Sequence, residues 1–119
     1  MPNQLVADRL FHALGDPTRL AVVERLTVAP ATVSALAAPH SMALPSFLQH
    51  LEVLERAGWI TSEKRGRVRT CRLNPGALAQ SSDWLQARRT MWEKRLDQLD
   101  ALLLELANED QPREEGAVP

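Results

Sequence analysis

In the stretch Lys64-Arg65-Gly66-Arg67-Val68-Arg69-Thr70-Cys71-Arg72, five cations and no carboxylate fall within nine residues of a 119-residue chain whose formal net charge is only -1. Side chains of this type at this density neutralise a polyanion. Guanidinium groups pair with phosphate oxygens, and each phosphate so engaged releases condensed counterions. Cations also blunt the edge of a β-hairpin against strand-to-strand association. One or two charges suffice for that, so five favour the polyanion.

The other reactive residue types are sparse. Cys71 is the only cysteine, which excludes an intramolecular disulfide and a four-thiolate metal site within one chain. Beside Arg69 and Arg72 it has two readings, a redox switch with a lowered thiol pKa or a small strand residue. His12, His40 and His50 stand apart in the sequence. No metal site and no cofactor is therefore expected. There is no Ser/His/acid or Cys/His set, no pair of carboxylates and no glycine-rich phosphate loop, which argues against an enzyme.

The charge is also segregated along the chain. Residues 44–72 hold six cations against three carboxylates, whereas from Asp97 onward seven carboxylates stand against Arg113 alone. A polarised molecule follows, with its cationic surface in the middle of the chain. With 45% hydrophobic and 24% charged residues, the composition is that of a globular domain with a modest core. No apolar run approaches the roughly 20 residues of a membrane span, and MPNQLVADRLFHAL does not read as a signal peptide. A cytoplasmic protein with no membrane association is expected.

The elements that must position these residues are legible from caps and periodicity. Leu5, Val6, Leu10 and Leu14 mark an amphipathic helix ending at Gly15. Asp16 reads as an N-cap with Pro17 at the first helical position, opening a second helix from about Pro17 to Val28 with a stripe of Leu20, Val23 and Leu26. A third, short helix spans Thr32 to Ala38, capped by Thr32 and stopped by Pro39. In the fourth, Leu44, Phe47, Leu48, Leu51 and Leu54 fall at helical spacing, and Gly58 stands at the left-handed C-terminal cap. Trp59–Ser62 and Val68–Leu73, flanking Lys64-Arg65-Gly66, read as a β-hairpin. Asn74-Pro75-Gly76 ends it, and Ser81 or Ser82 can cap a last helix from about Asp83 to Ala107. Residues 1–107 then form one domain, and 108–119, charged and proline-containing, a disordered tail.

The order α-α-α-α-β-β-α, mainly α with a β-hairpin wing, is that of a winged helix-turn-helix. Three stretches, FHALGDPTRLAVVERL (11–26), LPSFLQHLEVLERAGWI (44–60) and KRGRVRTCRLNP (64–75), resemble the ArsR-type family of bacterial winged-helix repressors. The likeness covers roughly residues 5 to 107. It implies a homodimeric transcriptional regulator, usually a repressor, that binds a double-stranded DNA operator and is released by a metal or other inducer. Many members hold metal through Cys-x-Cys in the third helix or Asp and His on the last. Here VSALAAPHS has no cysteine and the last helix no histidine, so both patterns fail. Any inducer is an unidentified small molecule, for which the neighbourhood of Trp84 and Trp92 is a candidate, though core packing explains those tryptophans equally well.

The residues support the DNA reading independently. Phe47, Leu51 and Leu54 must face the core, which turns Pro45, Ser46, Gln49 and Glu52 the other way. Gln49 can bond adenine N6 and N7, and Ser46 a base edge or a phosphate. His50 matches the family histidine, but its wheel position suits a structural hydrogen bond as well as the groove. Leu48 packs at the core edge or touches a thymine methyl. Lys64, Arg65, Arg67 and Arg69 of the wing are the candidate phosphate or minor-groove contacts. Trp92, Leu96, Leu99, Leu103 and Leu106 recur at spacings of four and three, an a/d seam that wants a partner helix. A homodimer through this helix, with the first helix contributing, is expected. Apolar Ala43, Leu44 and Leu48, where relatives commonly carry polar residues, keep a second class open: a winged-helix module that binds protein. A redox-responsive repressor using Cys71 is a further variant.

Overall fold

The computed structural model describes residues 2–110, with side chains from Leu5 onward; residues 111–119, most of the expected disordered tail, lie outside the described residues. The order is α1 (Pro2–Ala13), α2 (Pro17–Val28), β1 (Ala31–Thr32), α3 (Val33–Ala37), α4 (Leu44–Ala57), β2 (Ile60–Arg65), β3 (Val68–Leu73) and α5 (Pro75–Asp110). This is a mainly helical winged helix-turn-helix. Its wing is a three-stranded antiparallel sheet in the order β1-β3-β2, not a bare hairpin. The added strand is two residues long, with Ala31 opposite Cys71 and Thr32 opposite Thr70. So short a strand has no period to detect.

Local chemistry sets the boundaries. The Asp16 carboxylate accepts from the Arg19 backbone N–H at 3.1 Å, and the Thr32 hydroxyl from that of Ala35 at 3.1 Å, so each cap satisfies an otherwise unpaired amide. Gly58 ends α4 with φ of +95°, a conformation that disfavours a Cβ. Gly66 at φ +60° is the first of two turn residues, Gly66-Arg67, joining β2 to β3. Arg67 has negative φ, so the turn follows the II′ pattern and lies one residue beyond the expected Lys64-Arg65-Gly66.

The last helix begins eight residues earlier than the expected Asp83, at Pro75. The Asn74 carbonyl side chain accepts from Gly76 N–H at 3.0 Å and its Nδ2 donates to the Gly58 carbonyl at 2.8 Å, so Asn74 both starts α5 and ties it to the end of α4. Pro75 then occupies the first turn, where its missing N–H costs nothing. Ser81 is no cap. It is buried inside the helix, donating back to the Ala77 carbonyl at 2.9 Å. At the other end, residues 108–110 of the expected tail remain helical.

Leu10, Val22, Val23, Leu26, Leu36, Phe47, Leu51, Leu54, Trp59 and Ile60 make the core together with Ala31, Cys71 and Ala77. Leu20, expected in the α2 stripe, is 41% exposed; Val22 takes its place inside. Trp59 closes the core with a buried hydrogen bond from its Nε1 to the Leu10 carbonyl at 2.8 Å. Residues up to Trp84 form one compact unit and those from Leu85 a second. No helix among the described residues is long and apolar enough to cross a membrane.

Candidate nucleic-acid interface

The α4 stripe determines what the helix can present. Burying Phe47, Leu51 and Leu54 leaves Pro45, Ser46, Gln49 and Glu52 exposed, as the helical period requires. Leu48 is half-buried and packs against the core, the first of its two readings. Glu52 is engaged by Arg56 one turn on, at 2.7 Å. Ser46 and Gln49 are therefore the uncharged hydrogen-bonding side chains on the exposed face of α4.

His50 is held from behind. Its Nδ1 lies 3.3 Å from an Arg19 guanidinium nitrogen and 3.6 Å from the Asp16 carboxylate. Arg19 itself is anchored by Nε donating to the Ala13 carbonyl at 2.6 Å. Because a guanidinium can only donate, Nδ1 is the acceptor of that contact whenever the ring is neutral, which then leaves the ring proton on Nε2. A structural hydrogen bond thus exists for His50, and it joins α4 to the start of α2. The Arg19 backbone N–H, above all, draws the Asp16 carboxyl below its ordinary value, with smaller help from His50 and the Arg19 side chain against the opposing effect of burial. The sequence signal for this cluster was the cap itself; Arg19 and His50 stand 31 residues apart.

Strand register sorts the wing cations. Ile60, Ser62 and Lys64 pair with Leu73, Cys71 and Arg69 on the face whose Ile60 and Cys71 are buried, while Thr61, Glu63 and Arg65 pair with Arg72, Thr70 and Val68 on the other. Arg65 donates to Glu63 at 3.1 Å in an exposed pair. Arg69 is half-buried, its Nε donating to the Ser62 hydroxyl at 3.0 Å and a terminal nitrogen to Glu55 of α4 at 3.0 Å. Among the described residues no ion pair engages Lys64, Arg67 or Arg72. The charges of the wing are thus not equivalent: Arg67 at the turn and Lys64 and Arg72 on the strands carry the uncompensated ones.

The surroundings of Cys71 decide between its two readings. The thiol has no exposed surface, and burial pushes it above its ordinary value of 9.0; the Arg69 cation acts the other way but more weakly. A redox switch needs an accessible thiolate, so the lowered-pKa reading fails and the small strand residue stands. His40 stacks on Phe47, ring centroids 5.5 Å apart, and His12 is exposed on α1. Trp84 packs its ring against Phe11 at 5.3 Å. Trp92, Leu96, Leu99, Leu103 and Leu106 are all exposed on α5, each about half or more.

Comparison with known proteins agrees with this geometry. A helix-turn-helix domain family matches residues 14–63. The HTH-type transcriptional regulator Rv2034 of Mycobacterium tuberculosis is 40% identical over 72 residues, 60% of this chain and 67% of that one. The transcriptional repressor SdpR of Bacillus subtilis is 28% identical over 78 residues, 66% of this chain and 87% of its own. A crystal structure of an ArsR family transcriptional regulator superposes with a TM-score of 0.71 at 48% identity, covering 78% of this chain and 94% of the other.

Proposed function

The chain belongs to the ArsR family of transcriptional regulators, and from that premise we propose that it is a homodimeric repressor that occupies an inverted-repeat DNA operator without a metal. The observation that carries the reading is the pairing of an uncharged hydrogen-bonding face on α4 with uncompensated cations on the wing. Ser46 and Gln49 read base edges from the major groove, and His50 adds a donor through Nε2. Lys64, Arg65 and Arg67 meet phosphates beside it, Arg65 less strongly because Glu63 shares its charge. Repression is supported by the likeness to SdpR.

The dimer rests on α5. Five large apolar side chains at heptad spacing lie exposed on one helix, and a partner helix would bury them. The domain reading follows: residues 1–107 act as one DNA-binding chain, with 83–107 as the pairing segment. Selection of binding sites from a random pool of duplexes by the metal-free protein tests the proposal. Enrichment of a two-fold symmetric motif is expected. A pool with no enriched motif would overturn it in favour of a winged-helix module that binds protein, the reading that Leu44, 54% exposed at the start of α4, favours.

A further inference from the structure

Helix α4, the recognition helix of the proposed function, is joined to the wing by a closed ring of three side chains. Ser62 of β2 donates through Oγ to Glu55 Oε1 at 2.8 Å; Arg69 of β3 donates through Nε to the same Oγ at 3.0 Å and through a terminal nitrogen to Glu55 Oε2 at 3.0 Å. Both carboxylate oxygens of an α4 residue are thus used by the two strands of the hairpin. The ion pair is about two-thirds shielded, at 34% and 37% exposure, where charge-assisted bonds are stronger than at an open surface.

We propose that Arg69 is a positioning residue which, with Glu55 and Ser62, locks the wing to the recognition helix so that both engage an operator half-site as one body. The inference rests on the DNA-binding reading above and adds to it. Two further observations support the lock. Covalently, α4 and β2 meet only through Gly58-Trp59, and Gly58 has the left-handed backbone of a bend; a clasp at Ser62 braces that bend from the far side. Lys64 and Arg69 also face each other directly across β2 and β3, a like-charge pair that is destabilising unless one member is compensated, and Glu55 compensates Arg69. A guanidinium committed to a carboxylate contributes little to counterion release, so this arginine differs from Arg67 in kind.

The proposal makes an acid helpful to binding a polyanion, which is what separates it from ordinary electrostatics. Removing a negative charge from a DNA-binding surface should strengthen binding; here Glu55→Gln should weaken it. The test is a titration of wild type, Glu55→Gln, Arg69→Gln and the double variant against a duplex enriched by the wild-type protein and a scrambled duplex, at several salt concentrations, with hydroxyl-radical footprints at saturating protein. Each single variant is expected to lose about tenfold in operator affinity, with the double no worse than either single, as for groups acting as a unit. The salt slope should fall by the same amount in Glu55→Gln and Arg69→Gln, because the wing releases its phosphates in both, and protection should vanish on the wing side only. Should Arg69→Gln fail to fold, Glu55→Gln and its footprint decide the matter. If Arg69→Gln lowers the slope by about 1 per protomer while Glu55→Gln binds as well as wild type or tighter, Arg69 is a phosphate ligand and the proposal is overturned. A wild-type protein that enriches no duplex would instead sink the DNA-binding reading and this inference together.

Discussion

A side chain that reads a base and one that neutralises a phosphate differ in how salt acts on them, and the proposed function assigns one role to Gln49 and the other to Arg67. Under the proposed function, Gln49→Ala should cost about 1 to 3 kcal/mol on the preferred duplex, relax selection at one base pair per half-site and leave the salt slope nearly intact. Arg67→Ala should weaken preferred and scrambled duplexes by a similar factor and lower the slope by about 1 per protomer. Salt-dependent titrations of both variants distinguish the two outcomes. The same scale holds a pH dependence. Asp16, its carboxyl drawn below the ordinary 3.8, binds fewer protons in the native state than unfolded, so its contribution is complete above that value and lost as pH falls through the lower native one. Asp16→Ala should therefore cost about 1 kcal/mol at neutral pH by denaturant unfolding, and the gap to wild type should shrink in acid. A gap that widens in acid would contradict the assignment. Cys71, buried and with its thiol raised, should react with thiol reagents only as the chain opens, which mass spectrometry of the labelled native protein can check.

At the scale of elements, caps and breakers carried most of the information. Asp16-Pro17, Thr32 and Gly58 each state a boundary in local chemistry, and the structure places α2 at Pro17–Val28 and the end of α4 at Gly58 as that chemistry implies. Where a signal had two local meanings, the sequence could not choose. Asn74-Pro75-Gly76 serves as a hairpin stop and as a helix start, and only the bond from Asn74 to the Gly58 carbonyl makes the second meaning clear. For Ser81, a hydroxyl can cap or bond back, and burial decided. The wing shows the same limit for function: its charges were legible, but the partner that occupies Arg69 lies fourteen residues away on another element. The turn offers a clean check on the backbone argument. A Cβ at Gly66 would meet nothing within 4 Å, so Gly66→Ala should lose about 1 kcal/mol from the positive φ alone, measurable as a shift in unfolding midpoint with an unchanged m-value. A neutral substitution would show that the turn has another conformation available.

For the molecule as a whole, the apolar stripe of α5 is the feature that most requires a partner. Leu99 is 48% exposed in the centre of the seam, so Leu99→Lys should convert a dimer to monomer in light scattering. A wild-type protein that stays monomeric at micromolar concentration would remove the dimer from the proposed function. The two-residue strand β1 has a different kind of consequence, one of folding cooperativity. Ala31 and Cys71 are paired across forty positions of chain, and the segment between them contains α3, the whole of α4, and β2. Closing a loop of that length costs about 3 kcal/mol in chain entropy, which only the joint formation of helix and sheet can return. Helix α4 therefore belongs to the same opening unit as the sheet, and amide hydrogens in α4 and β3 should exchange at the same limiting free energy, while the exposed turns of α5 beyond Leu85 exchange separately and sooner.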